Sequence, residues 1–247
     1  MSEYSFEERY SRQIRLPQIG SGGQAKLASA RVLVIGMGGL GSPAALYLAS
    51  AGVGHLALSD FDRVELSNLQ RQIIHREASL NEPKALSAMQ TIAALNPDVD
   101  VTAIDWQLAD EELAQQVGLA DVVLDCSDNF ETRFAVNAAC VAARTPLVSG
   151  AAIRFDGQLT TFDFRQDGSP CYHCLFGGEG FAESCAAEGI LSPVVGVIGV
   201  LQALEAVKLV TGAGTTLTGR LLLFDGLNSE FQQVRYARDP GCSVCGG

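Results

Sequence analysis

The stretch from residue 31 to residue 62 constrains the fold of this chain more than any other part of the sequence. It passes from an apolar, β-branched segment into four closely spaced glycines, then into a segment of helical composition, and a second apolar run leads to Asp60. This order of strand, glycine turn, helix, strand and acid is typical of a βαβ unit that binds a mononucleotide. Glycines let the turn approach a phosphate, and exposed amides at a helix N-terminus favour an anion. Asp60, nineteen residues after Gly41, lies where a carboxylate can accept hydrogen bonds from ribose hydroxyls, so the stretch predicts a nucleotide site.

Two long apolar stretches could suggest a membrane span, and both are better explained as buried parts of a soluble fold. Residues 32–59 contain no Asp, Glu, Lys or Arg, but six glycines and one proline divide them into strand-length pieces. Residues 193–211 form a predicted helix whose apolar positions are interrupted by Gln202, Glu205 and Lys208. These polar side chains within the apolar stretch argue against a span. We therefore expect no membrane association.

Composition and charge narrow the class of protein further. A chain of 247 residues with 47% hydrophobic and 18% charged residues is an ordinary globular protein, slightly apolar and so open to oligomerisation. No basic segment followed by an apolar one opens the chain, and we expect a cytoplasmic location. The net charge of −11 argues against non-specific nucleic-acid binding, which needs a positive field. Residues 1–84 nonetheless hold 9 Lys and Arg against 8 Asp and Glu, while residues 85–247 hold 8 against 20. A small polyanionic ligand near the glycine turn fits this distribution.

The order of the predicted elements defines the fold class. Strand-like and helical segments alternate up to residue 150, which predicts a doubly wound, mostly parallel, Rossmann-like α/β sheet with right-handed crossovers. Antiparallel strands in the C-terminal half are expected at residues 157–164, 219–224 and 230–236. Residues 16–30, which contain several Gly and Ser, are interpreted as a connector. Asp110 is expected to cap the N-terminus of a helix over residues 110–117.

Cysteine spacing predicts a metal site. The chain has seven cysteines, but structural disulfides are not expected in a protein that is not exported. Four of them form two CxxC pairs, Cys171 with Cys174 and Cys242 with Cys245. Four thiolates close a tetrahedral site with no position left for a catalytic water, so we predict a structural Zn²⁺ site with His173 as a bystander. The metal would tie the C-terminal tail to the second half of the sheet.

The other three cysteines have separate interpretations. Cys126 and Cys140 fall in a predicted strand and a predicted helix, where we expect them to be buried and inert. Cys185 falls in a loose loop over residues 177–192, where a thiol can reach a ligand and react. From the residues alone, a functional role and a spectator role both stay open for Cys185.

Charged side chains that follow the nucleotide motif are the candidates for catalysis. Asp128 comes directly after a buried-strand pattern, where open α/β sheets place their ligands, and a carboxylate there can hold Mg²⁺ against phosphate oxygens. The alternative for Asp128 is a cap of the next helix. Arg71 and Lys84 offer positive charge to a triphosphate, although each alone could be a surface cation. Arg12 belongs to a basic helix face, for which spacing alone favours simple solvation.

The glycine motif does not decide the cofactor, so two alternatives to a triphosphate-using enzyme are kept. An NAD(P)-dependent oxidoreductase has the same opening motif, but it binds its diphosphate largely through backbone amides. Here residues 67–71 and Lys84 add side-chain donors of the kind that stabilise a leaving pyrophosphate. A non-catalytic scaffold of the same fold would lose the charged pocket residues, and this chain retains them.

Several long motifs are distributed along the chain and can be considered together. They are RYSRQIRL (9–16), GMGGLGS (36–42), DFDRVELSNLQRQ (60–72), PKA (83–85), LDCSDN (124–129), the two CxxC pairs and PVVGVIGVLQALEAVKL (193–209). Together they resemble the MoeB/ThiF adenylyltransferases, which are bacterial relatives of the ubiquitin-activating enzymes. The resemblance covers essentially the whole chain.

The resemblance implies an activity and a set of roles. ATP would adenylate the C-terminal glycine of a small ubiquitin-like sulfur-carrier protein, MoaD- or ThiS-like, with release of pyrophosphate. By position, Gly39 would lie at the phosphates, Asp60 at the ribose, Ser67, Asn68, Arg71 and Lys84 at the triphosphate, and Asp128 at Mg²⁺ with Asn129 beside it. Arg12 would reach into the ATP site of a partner subunit, which implies a homodimer. Cys185 matches a loop cysteine that can join the carrier through sulfur.

The resemblance also implies a domain organisation and a pathway class. A single domain over residues 1–247 would have a nucleotide-binding part at 1–150 and a carrier-binding and zinc-binding part at 151–247. The product would serve molybdenum cofactor or thiamine biosynthesis, with a cysteine desulfurase or rhodanese as a candidate source of sulfur. Residues 149–158 look more MoeB-like, whereas the segments 193–206 and LLLFDG also suit ThiF. The choice of carrier therefore stays open.

Overall fold

One continuous sheet organises residues 5–177 and 189–246, the part of the chain that the computed structural model describes. Its strands are β1 (Arg31–Ile35), β2 (His55–Ser59), β3 (Asp100–Ile104), β4 (Val122–Asp125), β5 (Leu147–Ile153), β6 (Asp156–Phe162), β7 (Arg220–Asp225) and β8 (Glu230–Arg235). The strand order is β3-β2-β1-β4-β5-β6-β7-β8, in which β1 to β5 are parallel and β6 to β8 are added antiparallel. This confirms the predicted Rossmann-like sheet with its antiparallel extension.

Helices cover both faces of the sheet. They are α1 (Phe6–Ile14), α2 (Gly20–Ser29), α3 (Gly41–Ala51), α4 (Lys84–Leu95), α5 (Asp110–Leu119), α6 (Phe130–Ala143), α7 (Tyr172–Phe176) and α8 (Ser192–Thr211), with short 3₁₀-helices at Leu66–Asn68 and Glu77–Ser79. Along β1, Val32 and Val34 pack against the side of α3, α4 and α8. Leu33 and Ile35 pack against the side of α5 and α6. Both faces of the parallel part are therefore buried, as parallel sheets require.

The turn between β1 and α3 depends on glycine. Gly36 has a φ of +93°, in the left-handed region that glycine adopts without strain. A Cβ at Gly41 would lie 1.8 Å from the carbonyl oxygen of Gly36, so α3 can begin against the turn only without a side chain there. The strand order reverses between β1 and β4, and this reversal opens a crevice at the carboxyl ends of the strands.

Helix α8 begins one residue before the predicted range of 193–211 and ends with it. It has 20 residues, and by length and composition it could cross a membrane. More than half of its most apolar stretch is buried inside the fold. Its polar residues are used internally: Gln202 donates to the carbonyl of Asp125 at 2.8 Å, and Glu205 accepts from Thr161 Oγ1 at 2.7 Å. The helix thus packs as a core helix, and the cytoplasmic location stays a prediction.

Two local expectations were wrong. Residues 16–30 are not a plain connector, because they contain α2, whose three glycines and two serines lower its intrinsic helix propensity. Tertiary contacts overcome that: Leu27 is in the core, and the buried Gln24 donates to the carbonyl of Ala51 at 2.9 Å. Asp110 does not cap α5, since it is the first helical residue, with φ of +45°, and the cap position belongs to Ala109.

Candidate functional site

A cavity of about 650 Å³ lies at the carboxyl ends of the parallel strands, beside the point where the strand order reverses. It is large enough for a nucleotide. The predicted site residues that line it are Gly39, Asp60, Ser67, Arg71, Lys84, Asp128 and Asn129. Asn68 and Arg12 do not line it, and Cys185 lies outside the described residues. The fold therefore gathers most of the predicted residues, from five separate segments of sequence, around one space.

Asp60, at the end of β2, is held by the backbone on two sides. Its Oδ2 accepts from the Met37 amide at 2.7 Å, and its Oδ1 accepts from the Asp62 amide at 2.9 Å. Burial raises the pKa of Asp60 above its usual value, while the nearby Lys84 and the two amides oppose that rise. Each oxygen still has lone-pair capacity for a further donor, as a ribose hydroxyl would provide.

Lys84 is placed where a cation is unfavourable unless an anion joins it. It is the first residue of α4, and a helix N-terminus repels positive charge. The residue is only 6% exposed, and its Nζ lies 2.9 Å from Asp62 Oδ2. Burying a charge costs free energy that one solvent-facing partner offsets only in part. The position of Lys84 on the cavity wall therefore indicates an anionic ligand.

The second cation of the cavity wall is Arg71, which lies three residues after the short 3₁₀-helix Leu66–Asn68. Arg71 lines the cavity, and its guanidinium donates to the Ser67 carbonyl at 3.2 Å. Asn68 is buried below it, and its Oδ1 accepts from the Glu65 amide at 3.1 Å. In this arrangement Asn68 braces the segment that presents Arg71 and Ser67, and its predicted contact with triphosphate stays a prediction.

Asp128 and Asn129 follow β4 and have different environments. Asn129 caps α6, since its Oδ1 accepts from the Thr132 amide at 2.8 Å. The alternative considered for Asp128, a helix cap, is therefore wrong, because its neighbour fills that role. Asp128 is exposed, and its carboxylate has no hydrogen-bond or ion-pair partner within residues 5–177 and 189–246. An unengaged carboxylate on the cavity wall suits the oxygen-donor set that Mg²⁺ takes beside phosphate.

A buried polar network behind Asp128 was not anticipated from the sequence. Asp125 accepts from Ser127 Oγ at 2.6 Å and from Ser149 Oγ at 3.1 Å. Arg133 reaches it from α6 at 3.4 Å and also donates to the carbonyls of Gly150, at 3.0 Å, and Ser127. These bonds fix the loop that presents Asp128. The available signal was an acid inside an apolar strand, which requires a buried partner.

Arg12 lies far from the cavity. It is an exposed residue of α1, and the next residue, Gln13, donates to the carbonyl of Ala51 at 2.9 Å. Ala51 ends α3, whereas the glycine turn precedes the first residue of that helix. A helix of 11 residues is about 16 Å long. Arg12 is therefore at the opposite end of α3 from the nucleotide cavity.

The two CxxC pairs converge as predicted. The Sγ atoms of Cys171, Cys174, Cys242 and Cys245 all lie within 4.8 Å of one another. Neighbouring sulfurs are 3.4 to 3.9 Å apart, close to the separation of about 3.8 Å that tetrahedral Zn–S bonds of about 2.3 Å produce. Disulfide bonds would need about 2.05 Å. The donor set therefore fits a closed zinc site, and α7 holds one pair while the C-terminal tail holds the other.

Protonation and burial separate the metal-site cysteines from the others. Burial raises the pKa of Cys242, but the amides of Cys245 and Val244 outweigh it and bring that pKa to about 6, which favours a thiolate. Burial raises the pKa of Cys126 and of Cys140 well above the usual thiol value. These two thiols are buried, as predicted, and their raised pKa favours the less reactive thiol form.

Known proteins resemble this chain over its full length. The sequence profile of the ThiF family matches residues 10–244. The chain is 48% identical over 251 residues to the molybdopterin-synthase adenylyltransferase of Escherichia coli (strain K12), with 100% of each chain covered. It is 50% identical over 240 residues to the sulfur carrier protein ThiS adenylyltransferase of the same organism, covering 97% of this chain and 95% of that protein.

Solved structures agree on the fold. The crystal structure of E. coli MccB with MccA-N7isoASN superposes with a TM-score of 0.86 and 23% identity, covering 99% of this chain and 76% of that one. At such identity the likeness concerns the fold alone. The family assignment rests on the sequence profile and the two full-length relatives, which show that the chain belongs to the ThiF family.

Proposed function

We propose that this protein is an adenylyltransferase that uses ATP to adenylate the C-terminal glycine of a small ubiquitin-like sulfur-carrier protein. The main structural support is the cavity in which the glycine turn, Asp60 and the buried Lys84 meet. The two relatives near half identity are named as adenylyltransferases of molybdopterin synthase and of the ThiS carrier. The product would serve molybdenum cofactor or thiamine biosynthesis.

The proposed adenylation requires the protein to position the reactants and to stabilise charge, and it needs no covalent enzyme intermediate. The carrier's terminal carboxylate attacks the α-phosphorus of ATP, an acyl-adenylate forms, and pyrophosphate leaves. Lys84 and Arg71 offset the negative charge that grows on the leaving group, and Asp60 orients the ribose. Asp128 would hold Mg²⁺, which neutralises phosphate oxygens when bound. Ser67 and Asn129 line the same cavity, Asn68 supports the segment that presents Ser67 and Arg71 to the triphosphate, and Gly39 belongs to the turn that meets the phosphates.

The second half of the chain is proposed to bind the carrier, with residues 1–150 for the nucleotide and 151–247 for carrier and zinc. Residues 151–153 of β5 and Ile190 line the cavity, so a chain end entering along them would reach the nucleotide. The same sheet ends in β8, whose Phe231 and Val234 are 53% and 50% exposed. Exposed apolar side chains on an edge strand are suited to contact the globular part of the carrier, while its C-terminal tail enters the cavity along β5.

One experiment tests this function directly. The purified protein is mixed with ATP, Mg²⁺ and either a MoaD-like or a ThiS-like carrier, and the carrier is weighed by mass spectrometry. We expect one AMP to be added to one of the carriers, and none without ATP. A protein that binds neither ATP nor a carrier would contradict the proposal. Thermal protection by NAD but not by ATP with Mg²⁺ would instead favour the oxidoreductase, and binding without turnover would favour the scaffold.

The homodimer has its own prediction, since Arg12 cannot serve its own cavity. If Arg12 acts in the partner's site, Arg12→Ala and Asp128→Asn homodimers should both be nearly inactive, whereas a mixture should recover activity. A mixed dimer has one complete site, so random exchange of subunits should restore about one quarter of the wild-type rate. Pyrophosphate exchange measured after co-refolding checks this. No recovery, with exchange of subunits verified by native mass spectrometry, would contradict a shared site.

Cys185 and a further protein are proposed to take part after adenylation. The Cys185 thiolate would join the carrier through sulfur by attacking the acyl-adenylate carbonyl, with AMP as the leaving group, and a cysteine desulfurase or rhodanese is proposed as the sulfur source. The four metal-site cysteines are proposed to hold structural Zn²⁺ rather than to react. Their support is the closed four-sulfur geometry, which leaves no open coordination position.

A further inference from the structure

One buried histidine joins the two elements that form the phosphate side of the cavity. His75 is 5% exposed. Its Nε2 lies 3.0 Å from the carbonyl oxygen of Met37, inside the glycine turn. Its Nδ1 lies 2.9 Å from the Oγ of Ser87, which is three residues after Lys84 on α4. A single imidazole therefore spans the gap between the glycine turn and the helix that carries Lys84.

The partners of His75 define which ring nitrogen carries the proton. A carbonyl oxygen can only accept, so Nε2 must donate to Met37, while Nδ1 faces the Ser87 hydroxyl. The Ser87 hydroxyl in turn donates to Ser79 Oγ at 3.0 Å. Burial lowers the pKa of His75, and the positive charge of Lys84 lowers it further. The lowered pKa favours the neutral ring, and the Met37 carbonyl requires a proton on Nε2.

The backbone of Met37 connects His75 with Asp60. Its carbonyl accepts from His75, and its amide donates to Asp60. Asp60 also accepts from the Asp62 amide, and Asp62 holds Lys84. The carbonyl and the amide of Met37 belong to the two peptide groups on either side of its Cα, so a shift of this residue would displace both the Asp60 carboxylate and the start of the glycine turn. Without His75 the Met37 carbonyl would be buried and unsatisfied, which destabilises this orientation.

We propose that His75 is a positioning residue for the nucleotide site: its Nε2–H bond to the Met37 carbonyl fixes the glycine turn at the correct distance from Lys84. His75 makes no contact with substrate in this role. The inference depends on the proposed function only where ATP binding is used to test it. The geometry of the turn itself is independent of any ligand.

Two conservative substitutions separate the two bonds of the ring. The amide nitrogen of glutamine can occupy the place of Nε2, whereas that of asparagine reaches only the place of Nδ1. We expect His75→Asn to weaken binding of ATP with Mg²⁺ about ten-fold, because the Met37 carbonyl loses its donor, and His75→Gln to stay within about two-fold of wild type. Fluorescence of the single Trp106, next to the cavity residues Gln107 and Leu108, reports the binding.

A second readout needs no nucleotide. Hydrogen exchange of the peptide covering residues 36–41 should be faster in His75→Asn than in wild type, and close to wild type in His75→Gln. The matched control is His55→Asn, because His55 begins the same strand that Asp60 follows and bonds Asp100 at 2.7 Å, away from the cavity. This control should leave both ATP binding and exchange of the turn unchanged.

The outcomes divide clearly. Selective weakening and faster exchange in His75→Asn support the positioning role. Wild-type binding and exchange in a folded His75→Asn protein, or equal losses in both His75 variants, overturn it. If the wild-type protein does not bind ATP at all, the proposed function fails, and the exchange of residues 36–41 alone decides the role of His75.

Discussion

Replacing Lys84 with methionine should lower the rate of adenylate formation by about a thousand-fold. Lys84 is the buried cation of the cavity, fixed by Asp62 at the first residue of α4. Because its orientation is set before the substrate binds, we expect it to stabilise charge on the leaving pyrophosphate without reorganisation. Methionine keeps the length of the side chain and removes the charge. The measurement is carrier-dependent exchange of labelled pyrophosphate into ATP.

This loss of activity should not come with a loss of folding. Asp62, the partner of Lys84, has a side chain that is 57% exposed and so keeps its hydration when the lysine is removed. A buried positive charge is also taken away from a helix N-terminus, which is favourable. The melting temperature should therefore stay within about 3 °C of wild type. Lys84→Met with full exchange activity would remove the central electrostatic element of the proposed mechanism.

A second lysine provides the matched control. Lys26 on α2 donates to the carbonyl of Thr211 at 3.2 Å, at the C-terminal end of α8, and it does not line the cavity. Lys26→Met changes the net charge of the protein by the same amount as Lys84→Met. We expect it to retain wild-type exchange activity, which shows that the effect at position 84 is local rather than a result of changed overall charge.

The parts of the site that the sequence predicted are those with few chemical solutions. A turn that touches a phosphate needs glycine, so Gly36 and Gly41 could be recognised from their place between a strand and a helix. Two CxxC pairs likewise have few uses other than a metal, and their four sulfurs meet as expected. In both cases the chemistry acts over a short stretch of chain, and the pattern is visible without the fold.

The support of the site could not be predicted, because its partners are far apart in the sequence. Asp125 meets Ser149 and the carbonyl-bonded Arg133 only after β4, β5 and α6 have packed together. His75 meets Met37 across 38 positions. For α2 the local signal was misleading, since its glycines disfavour a helix that burial of Leu27 stabilises. At Asp110 the local signal was misleading for another reason: aspartate is a favourable N-cap residue, but here it is the first helical residue, one position after the cap at Ala109.

The proposed zinc site gives the second large expected effect, this time on stability. Cys171 is buried and lies 3.7 Å from Cys242 and 3.9 Å from Cys174, so Cys171→Ser removes a central ligand. We expect the protein to lose its one zinc ion per chain and about 3 kcal/mol of stability, or about 10 °C in melting temperature. Elemental analysis gives the zinc content, and thermal unfolding gives the stability.

The expected loss is large because the metal site holds an aromatic cluster in place. Tyr172, next to Cys171, packs edge-on against Phe134 of α6 and Phe162 of β6, so release of α7 would loosen that face of the sheet. Cys140→Ala is the matched control: its thiol is buried on the same side of the sheet, but it should keep a full complement of zinc. Wild-type protein that purifies without zinc and resists chelators, or Cys171→Ser protein that retains the metal, would contradict the site. Because the cavity residues Lys84 and Asp128 belong to the other half of the chain, zinc loss should lower stability more than it lowers ATP binding.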